Sequence, residues 1–233
     1  MATVLATSLV ACGNDAATPT ASSEPLNLEQ ATALSGVLVA NLTTSGASFT
    51  ATLDDGSMVL TGDVDWVNHT GHALVQAKGA DAPVVEVFWG QEVVLERRPD
   101  LEGTVVAGVT VPGWVARPPA PDTRSLDQLI SVVAALAGPT ADNPLLVQQE
   151  TGSAAFPDTT VGGVAVRHLR YGTRTHYYLA VDDGRLVRFS GNNADGTRPF
   201  TVDLSAFGTR TVHAPDAAEV IDVGELGEAY TPV

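Results

Sequence analysis

Apolar residues recur at helical spacing near the start of the chain and then at alternating spacing. Ala31, Leu34, Leu38 and Leu42 fall on one face of a helix expected from about Leu28 to Leu42. Asn27 is placed to cap it, with Gln30 reaching back in a capping box. Gly36 weakens this helix and Ser45-Gly46 ends it. Asp54-Asp55-Gly56 then marks a turn between two apolar runs. In the second run, Met58, Leu60, Val64 and Trp66 share one side, and Thr61, Asp63 and Asp65 the other. After a turn at Asn68–Gly71, Ala73, Val75 and Ala77 alternate with His72, Gln76 and Lys78. Val85, Val87 and Trp89 alternate with Glu86, and Glu92–Arg97 follows Gly90. Trp114 belongs to a further short strand before the break at Pro118, Pro119 and Pro121.

Ser125–Ala137 returns to helical spacing. Leu126, Leu129, Ile130, Val133 and Leu136 make its apolar stripe, and Ser125 with Gln128 reads as a capping box. Gly138-Pro139 stops it. Leu145–Ala155 reads as a second, weaker helix. Alternation resumes in Val164–Tyr171, Thr175–Val181 and Arg185–Phe189, then in Phe200, Val202, Leu204 and Ala206. Asp216–Glu228 carries five acids and no base, and reads as a solvated acidic end.

Strands therefore come in runs rather than in βαβ alternation, which is the mark of an α+β fold. A large antiparallel sheet with few helices must cover its apolar face. A strongly curved sheet, an unclosed half-barrel with helices packed on its concave face, does so.

Composition narrows the chemistry. The chain has 233 residues, and 12 basic residues stand among 27 acidic ones, for a net charge of −15. No basic footprint for nucleic acid exists, and anionic headgroups would repel this surface. Cys12 is the only cysteine, so no internal disulfide can form. No G-x-S-x-G elbow or phosphate-binding glycine loop is present. His69 and His72 straddle a turn without a third ligand nearby. His168, His176 and His213 stand apart on strands. The loop from Gly191 to Gly196 lacks the first and last acids of a calcium loop. The expectation is a binder, not an enzyme, with no cofactor and no metal.

Leu9-Val10-Ala11-Cys12 followed by Gly13-Asn14-Asp15 resembles a bacterial lipobox. The resemblance implies cleavage before Cys12, a diacylglycerol on its thiol, export, and tethering to the outer face of a membrane. Residues 1–11 then read as a truncated signal peptide, without a basic n-region, and 12–25 as the lipid-anchor cysteine and a flexible tether. Residues 26–233 are expected to form a single domain with an acidic C-terminal end.

Three longer strings carry a second resemblance: Asp142-Asn143-Pro144-Leu145-Leu146, Val161-Gly162-Gly163-Val164 running on to Leu169, and Phe200–Gly208 running on to Val212-His213-Ala214-Pro215. In this order, the chain resembles the actinobacterial LppX/LprA/LprF/LprG lipoprotein family, which is similar in fold to the carrier LolA. The resemblance implies an apolar cavity for the acyl chains of a lipid or glycolipid, carried or presented across the aqueous envelope by a monomer. It further implies an envelope lipid transporter as a partner. The lining expected from the alternation is Met58, Leu60, Val64 and Trp66; Val85, Val87 and Trp89; Val187 and Phe189; Phe200, Val202 and Leu204; with Leu129, Ile130 and Val133 from the helix. The same residues would equally make a filled core. In that case the chain is an anchored, non-catalytic accessory protein of the envelope.

Overall fold

The computed structural model describes residues 22–79, 84–192, 196–227 and Tyr230. Cys12, the signal-like segment and the tether up to residue 21 lie outside the described residues.

The first helix, α1 (Leu28–Thr43), starts as the sequence dictates: Asn27 accepts from the Gln30 N–H and Gln30 reaches back to the Asn27 N–H, at 2.9 and 3.0 Å. Its buried face is turned slightly from the expected one. Ala31, Leu34, Ser35, Val37 and Asn41 are buried, while Leu38 and Leu42 are only half-buried. Ser45, at φ 74°, turns the chain out of the helix.

Five strands follow: β1 (Gly46–Leu53), β2 (Met58–Asp65), β3 (Thr70–Ala77), β4 (Val84–Trp89) and β5 (Val94–Arg97). A small two-stranded hairpin, β6 (Val105–Val106) with β7 (Val109–Thr110), stands apart, and β8 (Trp114–Arg117) rejoins the sheet. Next come α2 (Ser125–Ala135) and α3 (Pro144–Gln149). The second run is β9 (Ala154–Val161), β10 (Val164–Tyr171), β11 (Thr175–Ala180), β12 (Leu186–Asn192) and β13 (Pro199–Ser205). β14 (Val220–Asp222) and α4 (Val223–Leu226) end the described fold.

The twelve strands form one curved, unclosed sheet in the order β14-β8-β5-β4-β3-β2-β1-β13-β12-β11-β10-β9. The two runs join where β1 pairs with β13, Ala51 opposite Val202. Every neighbouring pair is antiparallel except β14 with β8, which is parallel. The result is the expected α+β half-barrel. Its main core lies on the concave face, where Leu34 and Val37 of α1 and Leu129 and Val133 of α2 meet Phe49, Leu60, Val87 and Val202.

Three local expectations are corrected. No capping box forms at Ser125: Arg124 occupies the cap position, and the Ser125 hydroxyl accepts instead from Arg198 at 2.7 Å. The weak helix stops at Gln149, because Gly152 turns at φ 87° and Ala154-Ala155 pair with Arg170 and Leu169. The acidic end is no free tail over the described residues. Ile221, Leu226 and Tyr230 are buried with Val111 and Val115 at the β8 edge. These buried residues are five and four positions apart, so neither strand nor helix spacing announces them among the acids.

Candidate functional site

Helix α2 is the element that closes the concave face, and two side chains tie its second half to the rest of the fold. The indole N–H of Trp66, just beyond β2, donates to the Val133 carbonyl at 3.1 Å. The Asn41 amide of α1 donates to the Leu136 carbonyl at 2.6 Å.

The start of α2 is held by charge. Arg117 of β8 stands opposite Val94, and Glu96 stands opposite Val87, so both face the core. The Arg117 guanidinium donates to Glu96 at 2.6 Å and forks onto both oxygens of Asp127 in α2, each at 2.6 Å. The Ala120 N–H also donates to Asp127, and the Tyr230 hydroxyl donates to Glu96 at 2.5 Å. Burial works against the Arg117 charge, but the hydrogen bond to Asp127 and the charge of Glu96 outweigh it and hold the guanidinium above its ordinary range. Tyr230 is pushed up by burial and then by Glu96, so its hydroxyl keeps its proton.

Apolar hollows open along α2. On the β11–β13 side lies a pocket of about 390 Å³, walled by Leu38, Val132, Leu136, Tyr177, Phe189 and Phe200, with Gln128 and Asn192. No charged residue lines it among the described residues. Tyr177 is pushed up to about 12 by burial, with a smaller contribution from Asp142, so this wall stays neutral at physiological pH. On the β4 side a second pocket of about 300 Å³ is walled by Trp89, Val94, Pro119, Pro121, Ile130 and Ala134, with His69, Gln91, Asp127 and Ser131 also in its lining. A third, of about 330 Å³, lies at the C-terminal end of the helix against Leu42, Trp66, Val67 and Pro139.

The residues expected to line one cavity are therefore divided. Trp66, Trp89, Ile130, Phe189 and Phe200 stand in pocket walls. Leu60, Val64, Val85, Val87, Leu129, Val133, Val202 and Leu204 are buried in the packed core, with half-buried Met58 against them. Val187 is on the opposite face. Tyr178 pairs with Arg188 but Leu179 with Leu186, so Val187 is the extra residue of a β-bulge. It packs with Val161, Val166 and Ala180 on the outer side. Sequence reasoning placed Leu136 in the α2 stripe and Leu38 in the α1 stripe, but it missed Val132 and Tyr177 as wall residues. Tyr177 shares the parity of Leu179, and that was the available signal.

The five histidines do not converge on one place: His72 and His213 line a groove of about 380 Å³ together with Asp63, Glu86 and Glu219. His69 is an exposed turn residue at φ 53°, and His72 bonds to Glu86 at 2.7 Å. His168 and His176 do meet on the outer face, 2.8 Å apart, and His168 is stacked between Phe156 and Tyr178. Burial, then the neighbouring His176 and Arg170, lowers His168 to about 4; burial and Arg170 lower His176 as well. The unfolded chain takes up protons near pH 6.5 that folded His168 refuses until about pH 4. Stability from this pair is thus full above pH 6.5 and is lost as pH falls toward 4. Thermal melts between pH 7 and 4.5 are expected to show a falling Tm, with a shallower fall in His168→Phe. Parallel profiles for the two proteins would contradict this.

The fold and the hollows together define a class: a curved half-barrel whose apolar mouth is covered by a helix. No protein-family model matches the sequence, and neither does any curated protein. Solved structures align over most of the chain at low similarity. An uncharacterized conserved protein from Thermus thermophilus is 10% identical, with a TM-score of 0.39, over 78% of this chain and 94% of that one. A LolA superfamily protein from Nitrosomonas europaea is 7% identical, with a TM-score of 0.32, over 81% and 96%. A chain of the Pseudomonas aeruginosa MucA/MucB complex is 12% identical, with a TM-score of 0.31, over 82% and 60%.

Proposed function

We propose that this chain is a non-catalytic, exported lipoprotein that binds the acyl chains of a lipid at the mouth of its half-barrel and carries or presents them in the cell envelope. The observation that carries the reading is the pocket beside α2, walled by Leu38, Val132, Leu136, Tyr177, Phe189 and Phe200 and lined by no charged residue among the described ones. Its volume of about 390 Å³ falls within the range of small-molecule sites. Each methylene transferred from water into such a wall gains about 0.8 kcal/mol, so a hydrocarbon needs little polar recognition there. The lipobox-like Leu9–Cys12 and the strings that resemble the LppX/LprG family support the exported, anchored setting.

Val132 is half-buried on α2 and in the pocket wall, so Val132→Trp should fill the hollow while leaving the deep core intact. Native mass spectrometry of the chain produced in an actinobacterial host is expected to show an extractable lipid adduct. Val132→Trp should reduce that adduct at least tenfold at unchanged Tm. A bare wild-type mass that gains nothing from added envelope lipids would overturn the reading.

One observation favours a second reading. Leu60, Val87, Val133 and Val202 are fully buried against one another, so the deepest part of the concave face holds side chains. An anchored accessory protein with a filled core would need nothing more. Crosslinking in intact cells to one specific protein, with no lipid adduct, would support it.

A further inference from the structure

A single segment crosses the convex face of the sheet, and a groove opens beside it. After β13 the Gly208 N–H donates to the Gly46 carbonyl of β1 at 3.0 Å. The chain then runs to β14 at the far edge, six strand spacings or about 29 Å away, within a dozen residues, so it is drawn out. Val212 packs it midway against Phe88, Leu95 and Trp114, a cluster separate from the concave core. The groove of about 380 Å³ is lined by Phe88 and Trp114 of the sheet and by residues 211–215 of the crossing segment.

The main chain of that segment is unused. Residues 211–214 belong to no strand or helix, and none of their N–H or carbonyl groups makes a backbone hydrogen bond among the described residues. A second drawn-out chain lying in the groove pairs with such groups as one strand pairs with another.

The charges say what the second chain carries. Asp63, Glu86 and Glu219 line the groove with His72 and His213, and no Lys or Arg does. Asp63 is already matched, by Arg210 at 3.2 Å and by the Ser48 hydroxyl at 2.6 Å. Arg97, over the Trp114 ring at 6.0 Å, is bound to Glu102. Glu86 has the His72 imidazole at 2.7 Å, and Glu219 has no side-chain partner among the described residues. Two carboxylates therefore line the groove without a guanidinium or ammonium beside them. Arginine meets both halves of this lining: its hydrocarbon stem lies along Phe88 and Trp114, and its charged head pairs with a carboxylate.

We propose that this groove docks a drawn-out, arginine-bearing segment of a partner protein, which pairs its main chain with residues 211–214 and its guanidinium groups with Glu86 and Glu219. The inference goes beyond the acyl-binding reading and does not depend on it, because the pockets along α2 open on the other face of the sheet.

Fluorescence anisotropy of a fluorescein-labelled Arg-Val-Arg-Val-Arg peptide, titrated with the full chain at about pH 8, above the ordinary histidine range, tests this. Saturable binding that weakens with added salt is expected. Glu86→Gln combined with Glu219→Gln should weaken it about fivefold, as the loss of two exposed ion pairs implies. Glu86→Gln leaves His72 a hydrogen-bonding neighbour. Asp158→Asn combined with Asp182→Asn removes the same charge from exposed positions toward the β9 end of the sheet, and should leave binding unchanged. The same peptide N-methylated at its valines should bind about tenfold more weakly, because main-chain donors are lost. No saturable binding, or an equal loss in the two double variants, overturns the proposal; the second result would reduce the attraction to the net charge of −15. Undiminished binding of the N-methylated peptide overturns main-chain pairing. Arginine amide binding as tightly as the peptide overturns a protein partner in favour of a small organic cation. Each of these failures leaves the acyl-binding reading standing.

Discussion

Replacing Arg117 by Met is expected to destabilise the fold by about 3–5 kcal/mol, the cost of removing one partner from a buried ion pair. Arg117 is 3% exposed, and its partners Glu96 and Asp127 are 0% and 2% exposed. With the guanidinium gone, two buried carboxylates would lose the cation they share. Met fills a similar volume, so the loss would report charge rather than a cavity. The damage should also spread, because the cluster joins β5, β8, the start of α2 and Tyr230. Urea unfolding followed by far-UV circular dichroism measures the change. Tyr230→Phe is the control: it removes one hydroxyl from the cluster while keeping the ring, and should cost about 1 kcal/mol. An Arg117→Met midpoint no lower than that of Tyr230→Phe would show that water reaches the carboxylates and that the cluster is not sealed.

This cluster also shows where reading the sequence fails. Alternation along a strand assigns Glu96 and Arg117 no special role, because charged residues are read as outward-facing. They face inward because each compensates the other across the β5–β8 pair, and a partner across a sheet is not visible in local spacing. The same limit explains Val187: a one-residue bulge reverses the face of a strand without leaving a composition signal. What local physics determines was legible. The Asn27–Gln30 box, the stripe from Leu126 to Leu136 and the inward parity of Leu60, Val75, Val87 and Val202 depend only on residues close in sequence. The candidate site was legible by face and not by depth. Trp89 and Val87 share a parity, yet one stands in a pocket wall and the other deep in the core. Only the position of α2 across the sheet decides between them.

Trp66→Ala is expected to cost about 3–5 kcal/mol, the range for removing a large buried aromatic side chain. Trp66 is among the largest fully buried side chains, and it joins the sheet to the covering helix through both packing and its bond to the Val133 carbonyl. Trp66→Phe separates these contributions. It keeps a ring in the core and removes the donor, and the Val133 carbonyl still accepts from the Leu136 N–H at 3.3 Å. That variant should lose only about 1 kcal/mol. Its main effect should be local: a helix less firmly held at its last turn opens more often, and the pockets on both its flanks open with it. Amide exchange of Val132–Leu136 is therefore expected to accelerate in Trp66→Phe by more than the change in global stability accounts for. Exchange that rises only in step with global unfolding would mean that helix and sheet open as one unit. Ligand entry through a moving α2 would then have no mechanical basis, and the pockets would have to fill by side-chain rearrangement at a rigid mouth.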